Sequence, residues 1–324
     1  MSFKDILGQY RQIAIIKKAI EINRVPHAYL FLGEEGVGKR LTAITLAKAL
    51  NCLVEFADSC DECDSCRKII SGNHPDVTVI EASGNSIKID QIREMQRFLK
   101  YKSFEGEKKV CIIPNVEKMN LAAANSILKT LEEPSPDIVL ILTTTSPHML
   151  LPTINSRCQK LKFQPLNSDL IFKLIKEKLD KDKEASSRIA SLAGGSLNKA
   201  YELSEGNTLE NMDRLIEKIC VISDNNVGKI FEFAEEISKE REEIISSLQF
   251  LKTFFRDILI FKENCSQDRL INIGFIEEVK RLSGSLSVLN LLEKYRIIND
   301  AELALMRNSN KRLTLEVMLT KLYQ

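Results

Sequence analysis

All eight prolines of this 324-residue chain, Pro26 to Pro165, fall in its first 165 residues. Proline lacks a backbone donor and breaks helix interiors, so the chain must turn often where proline recurs and can run in long helices where it is missing. Before Pro165, short β-rich runs alternate with helical patterns: Ala28 to Leu32, Val77 to Glu81, Val110 to Ile113, Ile138 to Leu142 and Lys160 to Phe163. That alternation predicts an α/β domain with a parallel sheet covered by helices. Beyond Pro165 the apolar spacing is helical, as in Ile244, Leu248, Leu251, Phe254 and Phe255, and predicts an all-α bundle. Gly194-Gly195-Ser196 and the polar stretch Ser204 to Thr208 divide that second part, so the expected domains are 1–165, a small helical domain at 166–207 and a larger one at 208–324.

The first apolar run leads into Gly33-Glu34-Glu35-Gly36-Val37-Gly38-Lys39, and a helical pattern from Leu41 to Leu50 follows. Strand, glycine loop and helix in that order make a phosphate-binding loop. Gly33, Gly36 and Gly38 would let backbone amides face a polyphosphate, and Lys39 would reach its outer phosphates. The next position, where a Ser or Thr hydroxyl would hold Mg²⁺, is Arg40, and a cation does not ligate a cation. The second strand, which should end in acids that position metal and water, runs into Pro114-Asn115. The chain is therefore expected to have no ATPase activity of its own and to bind ATP or ADP weakly or not at all, with Arg40 as a direct phosphate partner if binding persists. The residues also admit a Gly-rich turn that binds nothing.

Cys52, Cys60, Cys63 and Cys66 supply two overlapping C-x-x-C steps and a fourth thiol upstream, the ligand set of a tetrahedral zinc site. Iron–sulfur runs share the C-x-x-C-x-x-C core, but their next cysteine would fall at position 70, which is Ile70. Four free thiols remain the plain alternative. Four protein ligands would close the coordination sphere, so Zn²⁺ here would staple the 52–66 loop and do no chemistry. His74 is then surplus, a loop residue before Pro75. Cys111, Cys158, Cys220 and Cys265 stand alone in apolar or helical patterns and read as packing residues.

The strand at Ile138 to Leu142 ends in Thr143-Thr144-Thr145, a polar cap where a parallel sheet meets its ligands, and beyond it comes Ser156-Arg157-Cys158. By itself Arg157 is a solvated side chain or a partner for a carboxylate such as Glu132 or Glu133. Taken together, the loop at Gly33, Leu128-Lys129-Thr130-Leu131-Glu132-Glu133-Pro134, Thr143-Thr144-Thr145 and Ser156-Arg157-Cys158 resemble the clamp-loader branch of the AAA+ ATPases. Gly8-Gln9 resembles the segment beside the adenine in that family, and the four cysteines resemble the zinc module of its bacterial members. The resemblance implies that Arg157 is a finger acting in trans on ATP held by a neighbouring subunit. It also implies that 166–207 is a lid and that 208–324 is the collar joining the subunits. The expected partners are the other clamp-loader subunits of a hetero-pentamer, the sliding clamp, and primer-template DNA during replication. Active members carry Thr or Ser after the loop lysine, Asp-Glu after the second strand and an arginine in the lid. Here those places hold Arg40, Pro114-Asn115 and Asn198, so a subunit that serves its neighbour without hydrolysing nucleotide is implied.

A formal net charge of +1 argues against bulk coating of nucleic acid. A helical pattern from Asp90 to Tyr101 carries Arg93, Arg97 and Lys100, with Lys102 beyond, and reads as a solvated face or as backbone-only contact to DNA. Glu235, Glu236, Lys239, Glu240 and Arg241 read as the solvated face of a bundle helix. No stretch approaches the roughly 18 apolar residues of a membrane span, and a cytoplasmic location is expected. Two other functions compete: an active AAA+ motor subunit with atypical metal ligands, and a zinc-stabilised DNA-binding protein with a vestigial P-loop.

Overall fold

The computed structural model describes residues 1–324 except 180–182, 206–207, 222–226, 238–240, 264–269, 308 and 324. Cys265, Lys239, Glu240 and the expected boundary at Asn207 lie outside the described residues. The chain divides into two compact units, Met1–Asn167 with Gly194–Lys199, and Ser168–Ala193 with Ala200–Gln324.

In the first unit the strands are β1 (Ala28–Leu32), β2 (Val77–Val79), β3 (Lys109–Ile113), β4 (Ile138–Thr144) and β5 (Gln159–Lys162). They form one sheet in the order β2-β3-β4-β1-β5, with every pairing parallel. Six helices accompany them: α1 (Tyr10–Glu21), α2 (Lys39–Asn51), α3 (Asp64–Ile70), α4 (Ile89–Lys100), α5 (Leu121–Glu132) and α6 (Pro152–Arg157). Side chains alternate across a strand, and the sequence uses both faces. Tyr29, Phe31, Val110, Ile112, Val139 and Ile141 join Ile16 of α1 and Leu46 of α2 in one core. Ala28, Leu30, Cys111, Ile113, Leu140 and Leu142 join Ile92 of α4, Ile127 of α5 and Ile154 of α6 in the other. A sheet buried on both sides reads as continuous apolar runs, which is why these strands were visible without periodic alternation. Edge strand β2 is shorter than the apolar run that predicts it, closing at Val79 ahead of the turn at Gly84.

Within the second unit the description is helical: α7 (Ser168–Leu179), α8 (Lys183–Leu192), the greater part of α9 (Leu197–Ser204), α10 (Thr208–Val221), α11 (Val227–Ile237), α12 (Arg241–Lys262), α13 (Ile276–Ser285), α14 (Val288–Met306) and α15 (Lys311–Leu322). Ile244, Leu248, Leu251, Phe254 and Phe255 form a buried stripe on α12, as their spacing predicts. No helix among the described residues is long and apolar enough to cross a membrane.

Candidate functional site

The loop between β1 and α2 has the backbone of a phosphate cradle. Gly33, Gly36 and Gly38 all take positive φ, and Gly38 caps α2 in the left-handed region that a side chain would strain. The loop's polar groups bond within the chain. Lys39 is buried, and its Nζ donates to the carbonyl oxygens of Gly33 and Glu34, each at 2.6 Å. Burial lowers the Lys39 pKa, against the opposing pull of Glu117, Glu35 and Glu34. The segment before α9 lies on the loop: Leu197 N donates to Gly36 O at 3.3 Å, and a Cβ added at Gly36 would stand 2.0 Å from Ser196 Oγ and 3.2 Å from Asn198 Cβ. Arg40 turns away and pairs with Glu81. Gln9 is fully buried beside the loop, its Nε2 donating to Val37 O at 3.2 Å and Gln164 O at 2.7 Å while its Oε1 accepts from Gln164 N at 3.1 Å.

After β3, Pro114-Asn115 begins a turn in which Asn115 adopts φ 51°. The nearest acid is Glu117, which no motif singles out. Its Oε1 accepts from Thr145 N at 3.2 Å and Thr145 Oγ1 at 2.9 Å, tying the ends of β3 and β4 together. Burial alone would raise its pKa, but its own backbone N–H and the hydroxyls and amide of Thr144 and Thr145 outweigh that and hold the carboxyl below its usual range. Glu117 Oε2 is buried with no hydrogen-bond partner among the described residues. The signal that could have found it is its position four residues past the end of β3, facing the Thr-rich end of β4.

The cysteines converge. The Sγ atoms of Cys52, Cys60, Cys63 and Cys66 all lie within 4.8 Å of one another, so the four can hold a metal ion. A tetrahedral ion with Zn–S bonds of about 2.3 Å spaces its sulfurs about 3.8 Å apart, inside that limit. Backbone N–H groups point at three of the sulfurs: Glu55 N to Cys52 at 3.2 Å, Cys63 N to Cys60 at 3.3 Å and Cys66 N to Cys63 at 3.5 Å. Burial resists ionisation of Cys63, but the N–H groups of Cys66 and Leu53 and the adjacent Cys60 thiol outweigh it and bring the pKa down to about 7. Burial, with the Cys63 and Cys52 sulfurs beside it, pushes Cys66 the other way. His74 is no ligand here. It is buried, its Nε2 lies 3.2 Å from Ser65 Oγ, and its Nδ1 accepts from Asp76 N at 3.1 Å. Cys111 and Cys158 are buried in the sheet core, and burial raises both thiols, Cys158 to about 11.

Arg157 ends α6, a short helix opened by Pro152. Its Nη2 lies 2.7 Å from Glu132 Oε1 and its Nη1 donates to Thr153 O at 3.1 Å. Of the two carboxylates named from sequence, Glu132 and Glu133, the first is the partner observed. Arg157 and the Gly33–Lys39 loop are each built within the first unit, with no contact recorded between them among the described residues.

Residues 8–167 match the family described as DNA polymerase III, delta subunit, and residues 207–324 match its C-terminal counterpart. The DNA polymerase III subunit delta' of Bacillus subtilis is 35% identical over 84% of this chain and 83% of its own length. The DNA polymerase III subunit tau of the same organism is 30% identical over 99% of this chain, which spans 61% of that longer protein. A gamma-subunit-related protein of Thermotoga maritima aligns over 96% of this chain and 98% of its own, at 22% identity and a TM-score of 0.48. The family models and the 35% identical delta' relative agree over most of the chain, and it belongs to the delta-prime family of DNA polymerase III clamp-loader subunits.

Proposed function

We propose that this chain works in a clamp loader as a non-hydrolysing subunit, lending Arg157 to ATP bound by a neighbouring motor subunit while the assembly opens the sliding clamp and places it on primer-template DNA. Arg157 carries the reading. Its guanidinium is about one-third exposed at a helix end and is held by one half-exposed carboxylate, an arrangement that can be exchanged for another anion at little cost. The chain's own loop contrasts with it. Lys39 donates to loop carbonyls, position 40 is an arginine where Mg²⁺ needs a hydroxyl, and Pro114-Asn115 stands where acids would position metal and water.

In this reading the arginine stabilises charge spreading over the transferred phosphoryl oxygens, an effect worth about 10³ to 10⁵ in rate in GTPases. The four cysteines hold Zn²⁺ as thiolates, and the ion supplies cross-linking of the 52–66 loop with no open position for water. Residues 166–207 act as the lid and 208–324 as the collar that joins this chain to the other subunits of a hetero-pentamer. The DNA contact goes to the backbone and is independent of base sequence.

The test is ATP turnover of the assembly rebuilt with Arg157→Ala. Turnover should fall at least tenfold with the subunit still incorporated; unchanged turnover would end the finger assignment. Magnesium-dependent phosphate release by the isolated chain, abolished by Lys39→Met, would instead favour an active motor subunit.

A further inference from the structure

The loop between α2 and α3 leaves three large apolar side chains in water: Leu53 is 69% exposed, Val54 73% and Phe56 74%. Its backbone is anchored on both sides of them. Cys52 precedes them, and its Sγ accepts from Glu55 N at 3.2 Å. Ala57, Asp58 and Ser59 follow and are buried. Asp58 Oδ1 accepts from Phe3 N at 3.0 Å and from Ser59 N at 2.8 Å, while its Oδ2 accepts from Lys17 Nζ of α1 at 2.7 Å. Ala57 takes φ 60°, in the left-handed region that costs a side chain, and there the chain passes from exposed Phe56 to buried Asp58.

The same segment is acidic. Residues 52–66 contain five carboxylates and no lysine or arginine. Two of the five are engaged within the fold, Asp58 by Lys17 and Asp61 by Lys48. Glu55, Glu62 and Asp64 are exposed, and no cation among the described residues pairs with them. Large apolar side chains held in water on an anchored loop mark a surface that something covers. The three carboxylates select what that is. They repel nucleic-acid phosphates and anionic lipid and attract lysine and arginine, and with a formal net charge of +1 on the whole chain the attraction is local to this loop. Three apolar side chains within four residues need a partner face of similar width, which two turns of an amphipathic helix supply.

We propose that the 53–56 loop is a docking knuckle for a basic amphipathic helix of another protein, with Leu53, Val54 and Phe56 meeting its apolar stripe and Glu55, Glu62 and Asp64 its flanking lysines or arginines. This goes beyond the clamp-loader reading, which gives the loop no partner. Each can fail without the other: the finger is read by ATP turnover of the assembly, the knuckle by peptide binding to the isolated full chain.

The experiment is a fluorescence-anisotropy titration of the full chain, purified without chelator, into a labelled peptide of about 14 residues built only from Leu and Lys at helical spacing. Matched peptides with Glu in place of Lys, and with Ser in place of Leu, are the controls. The Leu/Lys peptide should bind with a roughly micromolar to submillimolar Kd, as a small interface does, and each control at least tenfold more weakly. Leu53→Ser/Phe56→Ser should weaken binding at least tenfold. Glu55→Gln/Glu62→Gln/Asp64→Asn should weaken it about fivefold and flatten its salt dependence. These side chains are exposed and none is a cysteine of the metal centre, so metal content and a circular dichroism melt should match wild type; the carboxylate variant, which keeps the apolar residues, serves if the apolar one misfolds. No binding of the Leu/Lys peptide, equal binding of the Leu/Glu peptide, or unaltered affinity in either folded variant overturns the site. Self-association in sedimentation, or binding to phosphatidylcholine vesicles, that disappears with Leu53→Ser/Phe56→Ser gives the surface to a second copy of this chain or to lipid and overturns the helix assignment.

Discussion

Arg157 Nη2 lies 2.7 Å from Glu132 Oε1, so the last residue of α6 is held by the last residue of α5. Both side chains are partly exposed, and ion pairs in such settings contribute about 0 to 1 kcal/mol because water and salt screen them. The pair positions the guanidinium more than it stabilises the fold.

Glu132→Gln and Arg157→Ala should therefore each leave the stability of the isolated chain within about 1 kcal/mol of wild type in urea denaturation. In the rebuilt assembly the two should part. Arg157→Ala should depress ATP turnover, whereas Glu132→Gln should leave it intact. Arg157→Lys should not restore it, since an ammonium lacks the planar fork that meets two phosphoryl oxygens at once. A large loss of stability in Arg157→Ala would mean the pair is structural.

The cysteine centre predicts one tightly held metal per chain. Protein purified without chelator should contain about one equivalent of zinc by elemental analysis, and cobalt substitution should give the absorption bands of a tetrahedral thiolate site. Cys66→Ser removes the most buried ligand and should abolish stoichiometric metal. Its melting temperature, and that of chelated wild type, should drop by several degrees, because metal-binding free energy is folding free energy. Metal retention should fail in acid, where protons compete for the thiolates.

Asp76 is buried and carries the loop that presents Phe104. Burial would raise its pKa, but the Gly106, Glu105 and Phe104 amides and the nearby Lys109 outweigh this and keep it below the ordinary 3.8. A carboxyl whose folded pKa is depressed contributes fully above its unfolded pKa and loses that contribution as pH falls through the folded value. Asp76→Asn should accordingly cost about 2 kcal/mol at pH 7, by analogy with hydrogen bonds to charged groups, and the gap to wild type should narrow below pH about 3.8. A gap that stays constant to pH 2 would show that charge is not what Asp76 supplies.

Much of this is legible in the sequence. The five strands announced themselves because a doubly covered sheet needs unbroken apolar runs, and the cysteine spacing placed four sulfurs together because short C-x-x-C steps leave little freedom. The Glu132-Glu133 pair could be named as the source of a carboxylate for Arg157, but not which of the two. What stayed hidden depends on contacts between distant segments. Glu117 looks like any surface acid until Thr145 is seen against it, Asp76 gains its role from three amides about 30 residues away, and the Glu81 partner of Arg40 lies 41 residues along the chain. Nothing in the letters says that Ser196 and Asn198 come down on Gly36.

That last contact yields the sharpest statement about nucleotide. A triphosphate entering the loop competes with two carbonyl oxygens for Lys39, beside the Ser196–Asn198 segment that packs on Gly36, with no Ser or Thr at position 40 to recover the cost through Mg²⁺. Calorimetric titration of ATP should therefore give at most millimolar affinity, and Lys39→Met should hardly change it. Gly36→Ala should destabilise the chain by about 2 kcal/mol or more, since φ +76° costs an alanine about 1 to 2 kcal/mol and its Cβ would fall 2.0 Å from Ser196 Oγ. Adding Ser196→Ala removes that oxygen and should return the steric share of the loss while leaving the backbone share. If the double variant is no more stable than Gly36→Ala alone, Ser196 does not rest on the loop in solution, and the packing of the 196–198 segment on Gly36 fails with it.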